Sequence, residues 1–216
     1  MDTEFARRQM VGQQVRAWDV FDPNVLQVLG SASRDVFVPA DFRDLAFADT
    51  EIPLPHGQKM MTPTVEGRVL QALALTRNDK VLEIGTGSAY LTACLSRLAG
   101  TVFSIDIFED FVSAARDRMQ KQGIENVDLA CMDACEDLPE GEFDAIAVTG
   151  SLPRFDDRYV ARLRPGGRLF VVVGEPPVQE ARIVRRNNDT GWESTALFET
   201  ALAPLINSSP PPEFVF

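Results

Sequence analysis

The chain has 216 residues, with 21 Lys and Arg against 32 Asp and Glu, a net charge of −11, and 45% hydrophobic and 25% charged residues. That composition is globular, and the acidic excess leaves no basic run to hold nucleic acid or an anionic membrane surface. Three cysteines and a single histidine, His56, exclude a fully paired disulfide framework, a multi-histidine metal centre and any Ser-His-Asp mechanism not built on that histidine.

The start, Met1-Asp2-Thr3-Glu4-Phe5-Ala6-Arg7-Arg8, is charged where a signal peptide has its apolar core. No stretch approaches the roughly 18 apolar residues of a spanning helix. A soluble cytoplasmic protein is expected. Up to about residue 62, short helical patterns alternate with proline-marked irregular chain. Asp22-Pro23 through Gly30 predicts one helix, with an N-cap, Pro at the first helical position and Gly past the end. Ile52-Pro53-Leu54-Pro55-His56-Gly57-Gln58 is too rich in Pro for helix or central strand and reads as an ordered loop. Residues 1–62 are therefore expected to form a lobe of helices and loops covering the site, and residues 63–216 the ligand-binding domain.

From residue 63 helical and strand periods alternate. A helix carrying Val65, Val69 and Leu73 leads into the strand Val81 to Ile84, followed by a helix with Leu91, Cys94, Leu95 and Leu98 on one face. Val102 to Ile105 reads as the next strand and Phe111, Ala115 and Met119 as the next helix. Further strands follow at Val127 to Cys131, Phe143 to Val148 and Arg168 to Val173, with weaker, partly antiparallel signals at Ala181 to Val184 and Ser194 to Phe198. Short apolar strands separated by helices predict an α/β fold whose mostly parallel central sheet is flanked by helices. The tail Ser208 to Pro212 is too rich in Pro to be regular.

The chemistry concentrates at Glu83-Ile84-Gly85-Thr86-Gly87-Ser88-Ala89-Tyr90, a strand running into a tight turn that opens a helix. Glycines there permit positive φ and close approach of a ligand to the backbone. A dinucleotide fingerprint requires a third glycine where this chain has Tyr90, and a carboxylate at Glu83 would repel pyrophosphate and attract ammonium. Asp106, ending the next strand, is placed to accept from ribose hydroxyls. Asp133, after the third strand, can accept from an adenine amino group.

These residues, with Leu163-Arg164-Pro165-Gly166-Gly167, resemble the S-adenosylmethionine (SAM) site of Rossmann-like methyltransferases. More closely, Val36-Phe37-Val38-Pro39, Ala48-Asp49, Pro53-Leu54, Gly57-Gln58, Glu83 to Ser88, Phe143 to Ile146 and Leu152-Pro153 resemble the protein-L-isoaspartate O-methyltransferases over most of the length. The resemblance implies a Rossmann-like fold, SAM as cofactor, no metal, and a protein or peptide substrate methylated on a carboxylate. It implies cofactor contacts from Glu83, Gly85, Thr86, Gly87, Ser88, Ile105, Asp106, Asp133 and Ala134.

One segment departs from that family. Its Thr-Ile-Ser-Gln-Pro after Gly-Gln, whose hydroxyls sit by the methyl acceptor, is here Lys59-Met60-Met61-Thr62-Pro63. The acceptor-loop candidates are thus His56, Lys59, Met61 and Thr62, the last offering its hydroxyl only if the loop is re-registered. A SAM-binding protein with a different acceptor, or with no transfer activity, stays open beside carboxyl methylation. Asp144 and Cys94 are expected to be structural.

Overall fold

A computed structural model describes residues 3–188 and 191–208. The first helix, α1 (Thr3–Gln9), widens into a π turn over Met10–Val15 and tightens to 3-10 over Arg16–Trp18. The next, α2 (Pro23–Ser31), begins as its sequence predicts: the Asp22 carboxylate accepts from the amides of Asn24 and Val25, and Pro23 fills the position where no amide is needed. Two residues each of β1 (Ile52–Pro53) and β2 (Lys59–Met60) then pair antiparallel. This corrects the expected loop. Proline survives in β1 because a two-stranded ribbon has a free edge on which no amide is required.

Helix α3 (Pro63–Leu73) leads to β3 (Lys80–Ile84), α4 (Tyr90–Leu98), β4 (Thr101–Asp106), α5 (Glu109–Lys121) and β5 (Val127–Cys131). The chain then crosses back through β6 (Phe143–Leu152), the short α6 (Arg158–Ala161), β7 (Leu163–Glu175), β8 (Val178–Asn188) and β9 (Gly191–Glu199). Among the described residues the sheet has seven strands in the order β5-β4-β3-β6-β7-β8-β9. Strands β5 to β7 in that order run parallel, and β8 and β9 are antiparallel and longer than their sequence signals. Apart from Ser208, the tail expected to be irregular lies outside the described residues.

Strand pleating divides the core. Val81, Ala145, Ala147, Phe170 and Val172 face the layer that contains α3, α4 and the N-terminal residues Met10, Val15, Leu29 and Phe37. Their neighbours Leu82, Ile146, Val148, Leu169 and Val171 face the layer that contains Tyr159 and Val160 of α6. These N-terminal residues therefore share one continuous apolar layer with the sheet. Because the chain leaves β3 toward β4 and β5 and returns on the other side through β6, a crevice opens at the carboxyl ends of these strands, where such sheets hold ligands. Asp144, at the opposite end of β6, accepts from the Lys80 amide and pairs with Arg164, and Cys94 is buried, as expected of structural residues. No helix among the described residues is long and apolar enough to cross a membrane.

Candidate active site

A cleft of about 960 Å³, its open mouth included, fills that crevice. The turn after β3 forms its floor. Gly85 and Gly87 take φ of +96° and +49°. A Cβ on Gly85 would lie 2.2 Å from Thr149 Oγ1, and that hydroxyl is already held at 2.9 and 2.8 Å from the Ile84 and Gly85 carbonyls. Glycine is required at position 85 on both counts. Ala89 also takes a left-handed φ, +64°, which costs a residue with a Cβ about 1–2 kcal/mol and is held by complete burial.

Asp106 organises the turn from β4. Its Oδ2 accepts from the Gly87 amide at 2.8 Å and its Oδ1 from the Phe108 amide at 3.0 Å. Burial pushes its carboxyl above the ordinary aspartate range, against the pull of those two amides. A carboxylate carries about four acceptor positions, so two remain for a ligand. Asp133 is held likewise, its Oδ1 accepting from the Cys135 amide at 2.8 Å and its Oδ2 from Asn207 Nδ2 at 2.6 Å.

Of the residues expected at the site, Gly85, Thr86, Gly87, Ser88, Ile105, Asp106, Asp133, Ala134, Lys59 and Met61 line the cleft together. Three others stand off its wall. Glu83 lies wholly buried beneath the turn, because the pleat that turns Ile84 to the cleft turns its neighbour toward α4. Its Oε2 accepts from Thr92 Oγ1 at 2.5 Å and Ser104 Oγ at 2.6 Å, Thr86 joins through Ser104 at 2.7 Å, and its Oε1 has no hydrogen-bond partner among the described residues. Thr62 caps α3, its hydroxyl accepting from the Val65 amide at 3.4 Å and meeting that of Thr64 at 2.9 Å.

His56 pins the β1–β2 hairpin to the start of α5 from outside. Its ring stacks on Phe108 at 4.0 Å, and its Nε2 lies 2.9 and 3.0 Å from the Asp110 carboxylate oxygens. The histidine hydrogen bond holds Asp110 below the usual aspartate range, so the carboxylate accepts and the ring nitrogen donates.

Burial pushes the Glu83 carboxyl up to about 8; the hydrogen bonds from Ser104 and Thr92 oppose the shift and the charge of Asp106 adds to it. The folded chain thus holds a proton that the unfolded chain, titrating near 4.5, releases. This group's contribution to stability is therefore greatest below pH 4.5 and declines as pH rises toward 8. Glu83→Gln keeps an acceptor for Thr92 and Ser104 and removes the titration. Thermal midpoints measured from pH 4.5 to 9 are expected to shift progressively in favour of the variant; parallel profiles would contradict this titration.

Sequence reasoning did not anticipate several parts of the wall. Phe108 and Phe111 flank the cleft at the entry to α5, and Leu202 to Ile206 close another side. Glu66, also in the wall, is paired with Arg34, both completely buried: Nε lies 3.0 Å from Oε2 and Nη2 3.4 Å from Oε1. The remaining donors of Arg34 reach the Ala46 and Met61 carbonyls at 2.6 Å each, so one guanidinium ties together both ends of the segment from Ala46 to Met61.

The family model for protein-L-isoaspartate(D-aspartate) O-methyltransferase matches residues 6–209. The chain belongs to this family. It is similar to the protein-L-isoaspartate O-methyltransferase 2 of Pelobacter propionicus, 34% identical with 95% of this chain and 92% of that one covered. It is also similar to protein-L-isoaspartate O-methyltransferase 1 of an Anaeromyxobacter species, 38% identical with 92% and 95% covered. A Plasmodium falciparum chain described as a protein-L-isoaspartate O-methyltransferase, crystallised with S-adenosyl-L-homocysteine, superposes with a TM-score of 0.79 at 19% identity, covering 92% of this chain and 97% of that one. The Rossmann-like methyltransferase fold read from the sequence is the fold observed.

As a member of this family the chain is a SAM-dependent O-methyltransferase. Its own residues fit that cofactor. The Gly85–Gly87 floor leaves room that a Cβ at position 85 would close, Asp106 and Asp133 offer acceptors to a ligand rich in donors, and Ile105, Phe108 and Ala134 supply apolar wall.

Proposed function

We propose that the chain methylates a carboxylate of a protein or peptide substrate, with Asp106 holding the ribose, Asp133 the adenine, and the Lys59–Met61 edge of the cleft receiving the acceptor. The observation that carries this reading is a single cleft whose wall includes both the two carboxylates and the acceptor loop. Bound SAM supplies an electrophilic methyl on a positively charged sulfur. An ionised carboxylate, with an ordinary pKa near 4, attacks without a general base, and the lone histidine, engaged with Asp110 outside the cleft wall, is not needed as one. What the chain must do is align the acceptor oxygen and exclude water.

Exclusion falls to buried Met60 and Met61, whose flexible side chains fit irregular space. Alignment has less support. The Thr62 hydroxyl is committed to capping, and Lys59 Nζ, at the exposed rim, is paired with Glu51 at 2.6 Å. An acceptor carboxylate reaching Lys59 must compete with Glu51 for it. Isoaspartyl methylation by the native chain is therefore expected to be slow or absent. Labelled methyl is followed from SAM into matched peptides carrying isoaspartate, aspartate or neither, with wild type and Lys59→Thr/Met61→Ser. The double variant should gain isoaspartyl methylation by about ten- to a hundredfold, the worth of one hydrogen bond to a charged group. Rapid wild-type turnover would show that backbone or water already aligns the acceptor. Absence of transfer in both proteins, with cofactor still bound, would assign a different acceptor.

A further inference from the structure

The segment 202–208 lies across the carboxyl end of β6 as a strap. The Ser151 amide donates to the Ala203 carbonyl at 2.9 Å, and the Leu205 amide donates back to the Ser151 carbonyl at 2.8 Å. Beneath this short ladder the buried Gln179 side chain donates to Ser151 Oγ at 3.0 Å and accepts from the Leu202 amide at 2.7 Å. Ser151 Oγ in turn donates to the Leu202 carbonyl at 3.0 Å. The strap is thus fixed to β6 and β8 by polar groups that water does not reach, and such groups hold one geometry because leaving any of them unpaired is costly. At its far end the Ser208 amide returns to the Leu205 carbonyl, and Asn207 takes φ +64°. Asparagine enters that left-handed region more readily than most residues with a side chain.

That conformation brings Asn207 Nδ2 within 2.6 Å of Asp133 Oδ2. Asp133 would otherwise have one anchor, the Cys135 amide on Oδ1, within its own turn. With a donor on each oxygen the carboxylate is held from two sides, and each oxygen keeps a lone pair for a ligand.

We propose that Asn207 is a positioning residue for adenine recognition: from the strap, it fixes the Asp133 carboxylate in the orientation that accepts from the exocyclic amino group. The inference rests on the proposed role of Asp133 and adds a residue that touches no ligand itself. A ligand donor meeting an acceptor already held in place forfeits less conformational freedom on binding, which is where a supporting hydrogen bond acts.

The test is calorimetric titration of the full chain with S-adenosylhomocysteine and with S-inosylhomocysteine, in which a carbonyl replaces the adenine amino group. Wild type should prefer the adenine ligand by at least about tenfold, consistent with one hydrogen bond to a charged group. Asn207→Gly can keep the left-handed backbone and removes the side chain with its amide donor. It should weaken the adenine ligand by about tenfold, leave the inosine ligand nearly unchanged, and so collapse the preference. Asn207→Asp, which sets carboxylate against carboxylate, should weaken the adenine ligand at least as much. No preference in wild type, or a preference that survives Asp133→Ala, would overturn the reading of Asp133. If Asp133→Ala abolishes the preference and Asn207→Gly preserves it, that reading stands and the positioning role is overturned. Equal weakening of both ligands by Asn207→Gly would also overturn it, reducing the strap to an apolar wall.

Discussion

Gly85→Ala is expected to lower affinity for S-adenosylhomocysteine at least a hundredfold, about 2.7 kcal/mol, while circular dichroism shows the sheet intact. Two independent effects add. At φ +96° any side chain strains the backbone, and the new methyl would lie 2.2 Å from Thr149 Oγ1. Thr149 cannot swing aside without releasing the carbonyls of Ile84 and Gly85, so the turn itself must move. Its movement disturbs the Gly87 amide that holds Asp106. Adding Thr149→Ala removes the collision and leaves the strain, so the double variant should recover part of the affinity. Unchanged binding in Gly85→Ala would mean that this turn does not form the floor of the cofactor site.

Arg34→Met is expected to cost about 3–5 kcal/mol, because it leaves the Glu66 carboxylate buried without its partner and strips a donor from each of two carbonyls. In a chain of this size the thermal midpoint should fall by roughly 10 °C. Arg34→Met/Glu66→Leu should regain most of that, since the uncompensated charge is gone. The deficit of the single variant should also shrink in acid. Burial already raises Glu66 to about 7 against the attraction of Arg34, with Asp49 adding to the rise, and removal of the guanidinium raises it further. In wild type, the folded value above 4.5 means that Glu66's contribution to stability declines as pH rises from about 4.5 through 7. In the variant that window extends upward, so midpoints of the two proteins should draw together as pH falls from 8 to about 7 and run parallel below that. A deficit independent of pH would place the loss in the carbonyl contacts alone.

The parallel sheet, the glycine turn and Asp106 were legible because each is governed by short-range rules: apolar runs of strand length, backbone freedom at glycine, and a carboxylate at a strand end. Glu83 was legible as important and illegible in direction. Whether it meets the cleft or α4 depends on the parity of the pleat, and its partner Ser104 sits on the adjacent strand. Pro53 and Pro55 concealed the hairpin, since a two-residue ribbon on a free edge leaves almost no period to detect. The strap was invisible for a different reason. Ala203 and Leu205 are ordinary apolar residues whose backbone is tied by hydrogen bonds to Ser151, far back in the chain. Asn207 carries no motif; its meaning appears only when Asp133 stands beside it.

Arg34 grips the acceptor segment by the carbonyl oxygens of Ala46 and Met61, groups that every amino acid possesses. Those two holds do not themselves depend on which side chains the loop carries. If positions 59 to 61 receive the acceptor as proposed, substitutions there would alter acceptor preference while these two backbone holds stay in place. The Lys59-Met60-Met61 sequence is one outcome that such an arrangement tolerates.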